Sequence, residues 1–277
     1  MSKNLSHFEK IIDNAFLAES KVRNEFIFYL KEKLKFNDYD IYVNKEKIFT
    51  DSEESLVNDF IQKKKVGIPL EYIINSSKFY EEEFYVDNRV LIPRPETEHL
   101  VDIINNYDFP KKIKILDAGT GSGCIGISIA LKNPNFDVYG SDYSLDALNV
   151  ASLNKDAFKI KNFSLICSDW LSCFEKDSFD VIVSNPPYIS KDDKHLDSLI
   201  HEPSGALVAS DNGLADIKTI AEHSSKILKG GGMLIYEHGY NQSEQVHDIF
   251  KDFGFINSKS VKDYQGIKRI SYSFLNY

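Results

Sequence analysis

The alternation of short apolar runs with helix-length segments constrains this chain more than any other feature of its sequence. Residues 113–117, 138–142, 163–167, 181–184 and 233–236 are compact apolar runs, each followed at a distance that accommodates a helix. Runs buried on both faces and joined by helices predict a parallel sheet covered on both sides. The end of the chain breaks the pattern, because 255–258 and 269–274 are joined by a short link without helical periodicity. Such a link permits antiparallel pairing, whereas a parallel crossover needs a helix. The expected core is an α/β, Rossmann-like sheet of seven strands, mostly parallel, with the last strand antiparallel.

Residues 1–75 read differently. Phe8, Ile11, Ile12, Ala15 and Phe16 share one helical face, and Val22, Phe26, Tyr29, Leu30 and Leu34 share another. Thr50 and Glu53 have capping-box spacing, and Leu56, Val57, Phe60 and Ile61 continue as an apolar stripe until Gly67 and Pro69 end the pattern. A small helical bundle that docks a partner is expected here, followed from residue 76 to 277 by the sheet domain. Phe79-Tyr80, Phe84-Tyr85-Val86 and, after Asp87-Asn88, Val90-Leu91-Ile92 predict short strands joined by turns, a β-hairpin at about 79–92, and a helix is expected over 97–106 behind Pro93 and Pro95.

The segment Ile115-Leu-Asp-Ala-Gly-Thr-Gly-Ser-Gly-Cys-Ile-Gly carries the most chemistry. A strand ends at Asp117, and a turn with Gly119, Gly121 and Gly123 lets a ligand approach the backbone at the carboxyl edge of the sheet. Gly121-x-Gly123-x-x-Gly126 formally satisfies a dinucleotide fingerprint. With Asp117 two residues before the first glycine, the same segment resembles the S-adenosylmethionine loop of class I methyltransferases. An amino-acid tail carries an ammonium that Asp117 could accept directly or through water. Asp142, closing the next strand, could accept ribose hydroxyls or cap the helix at 144–158. Asp169-Trp170 ends the third strand on the same edge, where the ring could cover an adenine and the Asp169 region accept from its amino group, or the ring could simply pack.

At the end of the fourth strand stands Asn185-Pro186-Pro187-Tyr188. The prolines stop the ladder and stiffen the backbone. A planar NH₂ group conjugated to a carbonyl or ring is a poor nucleophile. Two acceptors on its two N–H bonds, the Asn185 side-chain oxygen and the Pro186 carbonyl, would orient it and stabilise the positive charge growing on nitrogen. Tyr188 can stack on the planar group. The motif selects a nitrogen type and leaves adenine N6, guanine N2 and a glutamine amide open.

Residues Leu91-Ile92-Pro93-Arg94-Pro95-Glu96-Thr97-Glu98 followed by Asn185-Pro186-Pro187-Tyr188-Ile189 closely resemble the peptide-chain release factor glutamine methyltransferase family. The resemblance extends to Gly67–Ile73, Glu202-Pro203, Asp211-Asn212-Gly213-Leu214 and Glu237-His238-Gly239, and departs from the family pattern at Glu81, Ala209-Ser210 and Tyr264-Gln265-Gly266. It implies a class I methyltransferase fold and N5-methylation of the glutamine in the Gly-Gly-Gln loop of class 1 release factors. The donor it implies is S-adenosylmethionine, leaving as S-adenosylhomocysteine. By family position, Gly119, Thr120, Gly121, Ser122, Gly123, Asp142, Trp170 and Asn185 would contact the cofactor. Asn185, Pro186, Pro187 and Tyr188 would hold the glutamine, with Arg94 and Glu96 lining or buttressing the pocket.

Composition narrows the alternatives. The chain holds 33 basic and 42 acidic residues, net −9, and the whole excess falls in residues 81–277, where 20 face 29. A phosphate-gripping protein would favour the opposite sign, so direct DNA binding is not expected, and a nucleic-acid amino methyltransferase becomes a rival rather than the main reading. A cofactor-fold protein without activity and a nicotinamide dehydrogenase are further rivals, the second leaving Asn185–Tyr188 unexplained. Three cysteines without C-x-x-C spacing and scattered histidines suggest neither a disulfide framework nor a metal. The first ten residues lack the apolar core of a secretion signal, and no apolar stretch reaches bilayer length, so a cytoplasmic monomer off the membrane is expected.

Overall fold

Helix α7 (Cys124–Lys132) meets the sheet across one side chain, the Phe163 ring, against which the two facing positions have no room for side chains of their own. A methyl group on Gly126 would sit 2.5 Å from the Phe163 ring, and one on Gly140 would sit 2.7 Å from the same ring. Two glycines, one on the helix and one on a strand, thus leave room for a single fully buried phenylalanine. The computed structural model describes residues 3–17 and 19–277. It divides into two compact units, one ending at Ser76 and the other beginning at Ser77.

In the second unit the sheet order is β5-β4-β3-β6-β7-β9-β8. Its members are β3 (Lys114–Ala118), β4 (Asp137–Asp142), β5 (Phe163–Cys167), β6 (Phe179–Ser184), β7 (Leu228–Glu237), β8 (Phe255–Lys262) and β9 (Lys268–Leu275). The first five strands in that order pair in parallel, and β9 runs antiparallel to both β7 and β8. This is the mostly parallel seven-stranded sheet with a reversed last strand that the apolar spacing predicts. Helices α7, α8 (Leu145–Phe158), α10 (Ala215–Ile227) and α11 (Ser243–Asp252) make four of the connections, whereas residues 168–178, between β5 and β6, cross without a helix. One face buries Ile115, Val138, Val181, Val183 and Ile235 beneath α7 and α6 (Glu98–Asn106); the other buries Leu116, Ile182, Leu234 and Tyr236 beneath α10 and α11. Strand order reverses between β3 and β6, where open sheets of this kind bind their ligands.

The hairpin departs from expectation. It comprises only β1 (Ser77–Phe79) and β2 (Glu82–Phe84), and residues 90–92 form no strand. Tyr80 takes the left-handed conformation, φ 58°, at a turn that has no glycine. Its N–H donates to Glu98 Oε1 at 2.8 Å and its hydroxyl to Asp102 Oδ1 at 3.0 Å, while Glu81 pairs with Lys132. These bonds to α6 offset a backbone strain of about 1–3 kcal/mol. The short α9 (Ser210–Gly213) is broken by left-handed Asp211 and Asn212.

In the first unit, α1 (Leu5–Ala15), α2 (Ser20–Leu34), α3 (Asp38–Tyr42), α4 (Asp51–Lys65) and α5 (Leu70–Ile74) enclose Leu5, Phe8, Phe26, Leu30, Val57 and Phe60. The capping box at Thr50 and Glu53 is present, and a second one, at Asn37 and Asp40, starts α3. Leu56 is exposed, against the expected stripe; its carbonyl accepts the Tyr29 hydroxyl at 3.0 Å.

Gly126→Ala is expected to lower unfolding free energy by about 1–3 kcal/mol, the usual cost of overpacking a filled core. A shift of the urea midpoint at constant m-value would measure it. Phe163→Leu in the same chain should recover part of the loss.

Candidate functional site

The glycine turn after β3 is braced by one carboxylate oxygen. Asp117 Oδ2 accepts the Thr120 hydroxyl at 2.6 Å and the Gly126 N–H, in the first turn of α7, at 3.0 Å. The Gly119 and Thr120 N–H groups both donate to the Ser141 carbonyl, at 2.8 and 2.9 Å, and Gly123 donates to Thr120 at 2.8 Å. Gly121 donates to Asp142 Oδ2 at 3.0 Å. Gly119, Gly121 and Gly123 all have positive φ. A side chain at Gly119 would press on the Trp170 ring 3.2 Å away, whereas a Cβ at Gly121 would meet nothing within 4 Å.

This pattern bears on the two cofactor readings. A pyrophosphate is held by unpaired backbone N–H groups at a glycine turn and helix N-terminus. Here the amides of residues 119, 120, 121, 123 and 126 are already donating, two of them to carboxylates. Those five donors are not free for a phosphate, and Asp142 on the wall suits a neutral or cationic group.

The turn forms one side of a cleft whose empty space, open solvent included, is about 950 Å³. Gly119, Thr120, Gly121, Ser122, Asp142, Trp170, Asn185, Pro187 and Arg94 line it, joined by Tyr143, Ser168 and the segment around Gly205. A second cavity, of about 490 Å³, is lined by Pro186, Tyr188, Ile189, Leu199 and Leu207. Leu91, Arg94, Asn185 and Ala206 line both. Asn185 therefore stands at the junction of the two spaces.

Several sequence candidates take other places. Asp117 is fully buried and is not part of the cleft wall; its Oδ2 braces the turn, while Oδ1 has no hydrogen-bond partner among the described residues. Burial pushes its carboxyl up to about 7, the Thr120 and Gly126 bonds partly opposing this. Asp169 is exposed and off the wall, with Ser168 in its stead. Gly123 and Glu96 line neither cavity. Asp142 is not the N-cap of α8; Ser144 is, and Asp142 Oδ1 accepts the Ser144 N–H at 3.0 Å. Both Asp142 oxygens thus hold backbone, and burial raises its carboxyl against those bonds.

Behind Asn185 lies a buried polar chain. Asn185 Nδ2 donates to Thr97 Oγ1 at 3.1 Å, and Thr97 Oγ1 donates to Glu237 Oε2 at 2.6 Å. The Tyr188 hydroxyl donates to Glu237 Oε1 at 2.7 Å. Burial, with the Glu237 charge beside it, raises the Tyr188 hydroxyl well above 10, so it stays a donor. Burial also raises Glu237, while the two hydroxyls and the Arg269 charge hold it down. Arg94 pairs with the buried Glu202, whose other oxygen accepts the Ile92 N–H at 3.0 Å.

A model of the methyltransferase domain matches residues 110–273. The chain is 38 % identical over 229 residues to the release factor glutamine methyltransferase of Aliivibrio fischeri, covering 82 % of this chain and 81 % of that one. It is 37 % identical over 257 residues to the Streptococcus pneumoniae protein of the same name, covering 91 % and 89 %. The chain belongs to the release factor glutamine methyltransferase family. Among solved structures, a Pyrococcus furiosus methyltransferase superposes with a TM-score of 0.53 at 14 % identity, over 82 % of this chain and all of that one. A T. thermophilus 16S rRNA methyltransferase in complex with AdoMet and guanosine does so with 0.52 at 17 %, over 73 % and 50 %. Both likenesses concern the class I fold alone.

For a release factor glutamine methyltransferase, the residues that sequence reasoning passed over are Thr97, Glu237 and Glu202. Thr97 and Glu237 lie at element ends, and Glu202 just after a 3-10 turn, all far apart in the chain. Their only signal was membership of the quoted family segments. No helix among the described residues is long and apolar enough to cross a membrane.

Asp117 titrates near 3.8 when unfolded and near 7 when folded. Between those values the folded state keeps a proton that the unfolded state has lost, so stability falls as pH rises through the window. Asp117→Asn removes this dependence. Urea unfolding of both proteins from about pH 4 to pH 8 should show wild type losing on the order of a few kcal/mol relative to the variant. A constant difference would contradict the assignment.

Proposed function

We propose that this chain transfers a methyl group from S-adenosylmethionine to the N5 amide nitrogen of the glutamine in the Gly-Gly-Gln loop of class 1 release factors. The observation that carries this reading is the position of Asn185, shared by the large cleft beneath the glycine turn and the smaller cavity beside it. The large cleft takes the donor and the smaller cavity takes the glutamine side chain. The donor supplies an electrophilic methyl and departs as a neutral thioether, S-adenosylhomocysteine.

The cofactor fits the wall. Trp170 and Gly119 form a flat surface for a ring, Asp142 has lone pairs left for ribose hydroxyls, and the occupied amides repel no cation. Arg94, lining both spaces, closes the junction while Glu202 neutralises it. Asn185 Oδ1 and the Pro186 carbonyl accept the two N–H bonds of the incoming carboxamide, and Tyr188 packs on its plane. As the nitrogen lone pair forms the new bond to carbon, the carbon–sulfur pair leaves on sulfur and one N–H proton passes to water. The two acceptors lower the barrier by facing the charge that develops on nitrogen.

The names of the relatives point to the release factor, and the acidic excess of residues 81–277 argues against a nucleic-acid substrate. The helical unit ending at Ser76 gives the release factor a second docking surface in this reading. Its location would be the cytoplasm, where release factors act.

Mass spectrometry of a class 1 release factor, incubated with this protein and S-adenosylmethionine, should find one added methyl on the loop glutamine and none when that glutamine is replaced. Absence of transfer, or a methyl placed elsewhere, would overturn the reading. Asn185→Ala is expected to cut kcat by roughly 10²–10³-fold while S-adenosylhomocysteine affinity changes far less, as when one preorganised partner of a transition-state charge is deleted. S-adenosylhomocysteine should raise Tm, and NAD should not.

A further inference from the structure

Asn185 can serve as an acceptor only if its amide is held one way round. A rotation of 180° about the last side-chain bond exchanges C=O for NH₂ at nearly the same volume, and would turn an acceptor into a donor facing another donor. Nothing in the strand end Ser184-Asn185-Pro186 itself prevents that rotation. The orientation has to come from a partner whose own polarity is settled.

Thr97 has such a polarity. Its hydroxyl has one proton, which it donates to Glu237 Oε2 at 2.6 Å. The Thr97 oxygen then has only lone pairs left for Asn185, and only the Nδ2 side of the amide can satisfy them at 3.1 Å. Glu237 cannot relax by turning its other oxygen inward, because Oε1 is occupied by the Tyr188 hydroxyl at 2.7 Å. Thr97, Glu237 and the end of β7 are essentially buried, at 2 % and 1 % exposure for the two side chains, so water does not compete for these bonds. Thr97 is itself fixed by the chain turn at Pro95 and the start of α6, and Glu237 by its pairing with Ile270 on β9.

We propose that Thr97 and Glu237 are positioning residues that lock the Asn185 amide with Oδ1 toward the substrate nitrogen, and that Glu237 through the same contact network fixes the Tyr188 ring. The inference rests on the reading of Asn185 given above. It assigns direction to each bond in the network: Asn185 to Thr97, Thr97 to Glu237, Tyr188 to Glu237. A single carboxylate thereby sets two of the groups that meet the carboxamide. Neither Thr97 nor Glu237 touches the reacting nitrogen.

Thr97→Val keeps the volume and deletes the hydroxyl, and Thr97→Ser keeps the hydroxyl. Steady-state methylation of a release factor, S-adenosylhomocysteine affinity by calorimetry and Tm would be measured for each, and for Glu237→Gln. The network predicts kcat lower by on the order of 10- to 100-fold in Thr97→Val, the scale of a slight misplacement of a reacting group. Release factor KM and S-adenosylhomocysteine Kd should stay within about threefold on this account, and Thr97→Ser should recover most of kcat. Glu237→Gln, which can accept from only one of the two hydroxyls through its single carbonyl, should also lose kcat rather than cofactor affinity. Thr97→Val with wild-type kcat would overturn the inference and leave the proposed function standing. Parallel losses of kcat, affinity and Tm without rescue by serine would make Thr97 a packing residue and overturn it as well. A wild-type protein that leaves the release factor unmodified would overturn the underlying reading, and this one with it.

Discussion

One carboxylate oxygen, Asp117 Oδ2, ties the end of the central strand to the start of the first crossover helix. Because it accepts from both Thr120 and Gly126, the turn between them has a fixed path, and the carbonyl of Ser141 on the neighbouring strand takes two further amides. The cleft wall, the placement of Trp170 over Gly119 and the contact with Asp142 follow from that path. The cost is a buried acid whose ionisation is resisted by its surroundings. The Thr120 and Gly126 bonds partly offset that cost.

The site is assembled from strand ends far apart in sequence, and this shapes what could be read before the coordinates. Period and spacing reveal strands and helices because burial on two faces leaves a continuous apolar record; the five parallel strands and the reversed last one are of this kind. The glycine turn and Asn185–Tyr188 are legible because their chemistry is local. Asp117 was visible as a residue, but its bonds to Thr120 and Gly126 were not, since they depend on where the start of α7 meets the strand end. The third hairpin strand failed for a related reason: residues 90–92 are apolar because they pack, Val90 being nearly inaccessible, and not because they pair.

Thr97 and Glu237 mark the limit of that approach. A threonine before a helix reads as a cap, yet it accepts no cap bond from α6 and instead donates to a glutamate 140 residues away. A glutamate at the end of a buried strand gives no pattern at all. Polar networks that orient a reactive side chain are three-dimensional objects, and their members are individually ordinary. The bonds become informative only when each proton is assigned, since the direction of one bond then determines the next.

The saturated amides of the glycine turn have a consequence for ligand choice inside a cell. Adenine nucleotides share the adenosine half of the proposed donor and differ chiefly in carrying phosphate. A turn with spare N–H groups would welcome them, as nucleotide-binding turns do. With five of its amides already donating to Ser141, Thr120, Asp142 and Asp117, this one offers a phosphoanhydride the Asp142 carboxylate and fewer hydrogen bonds. The bias against phosphate thus lies in how the backbone donors of the turn are already paired.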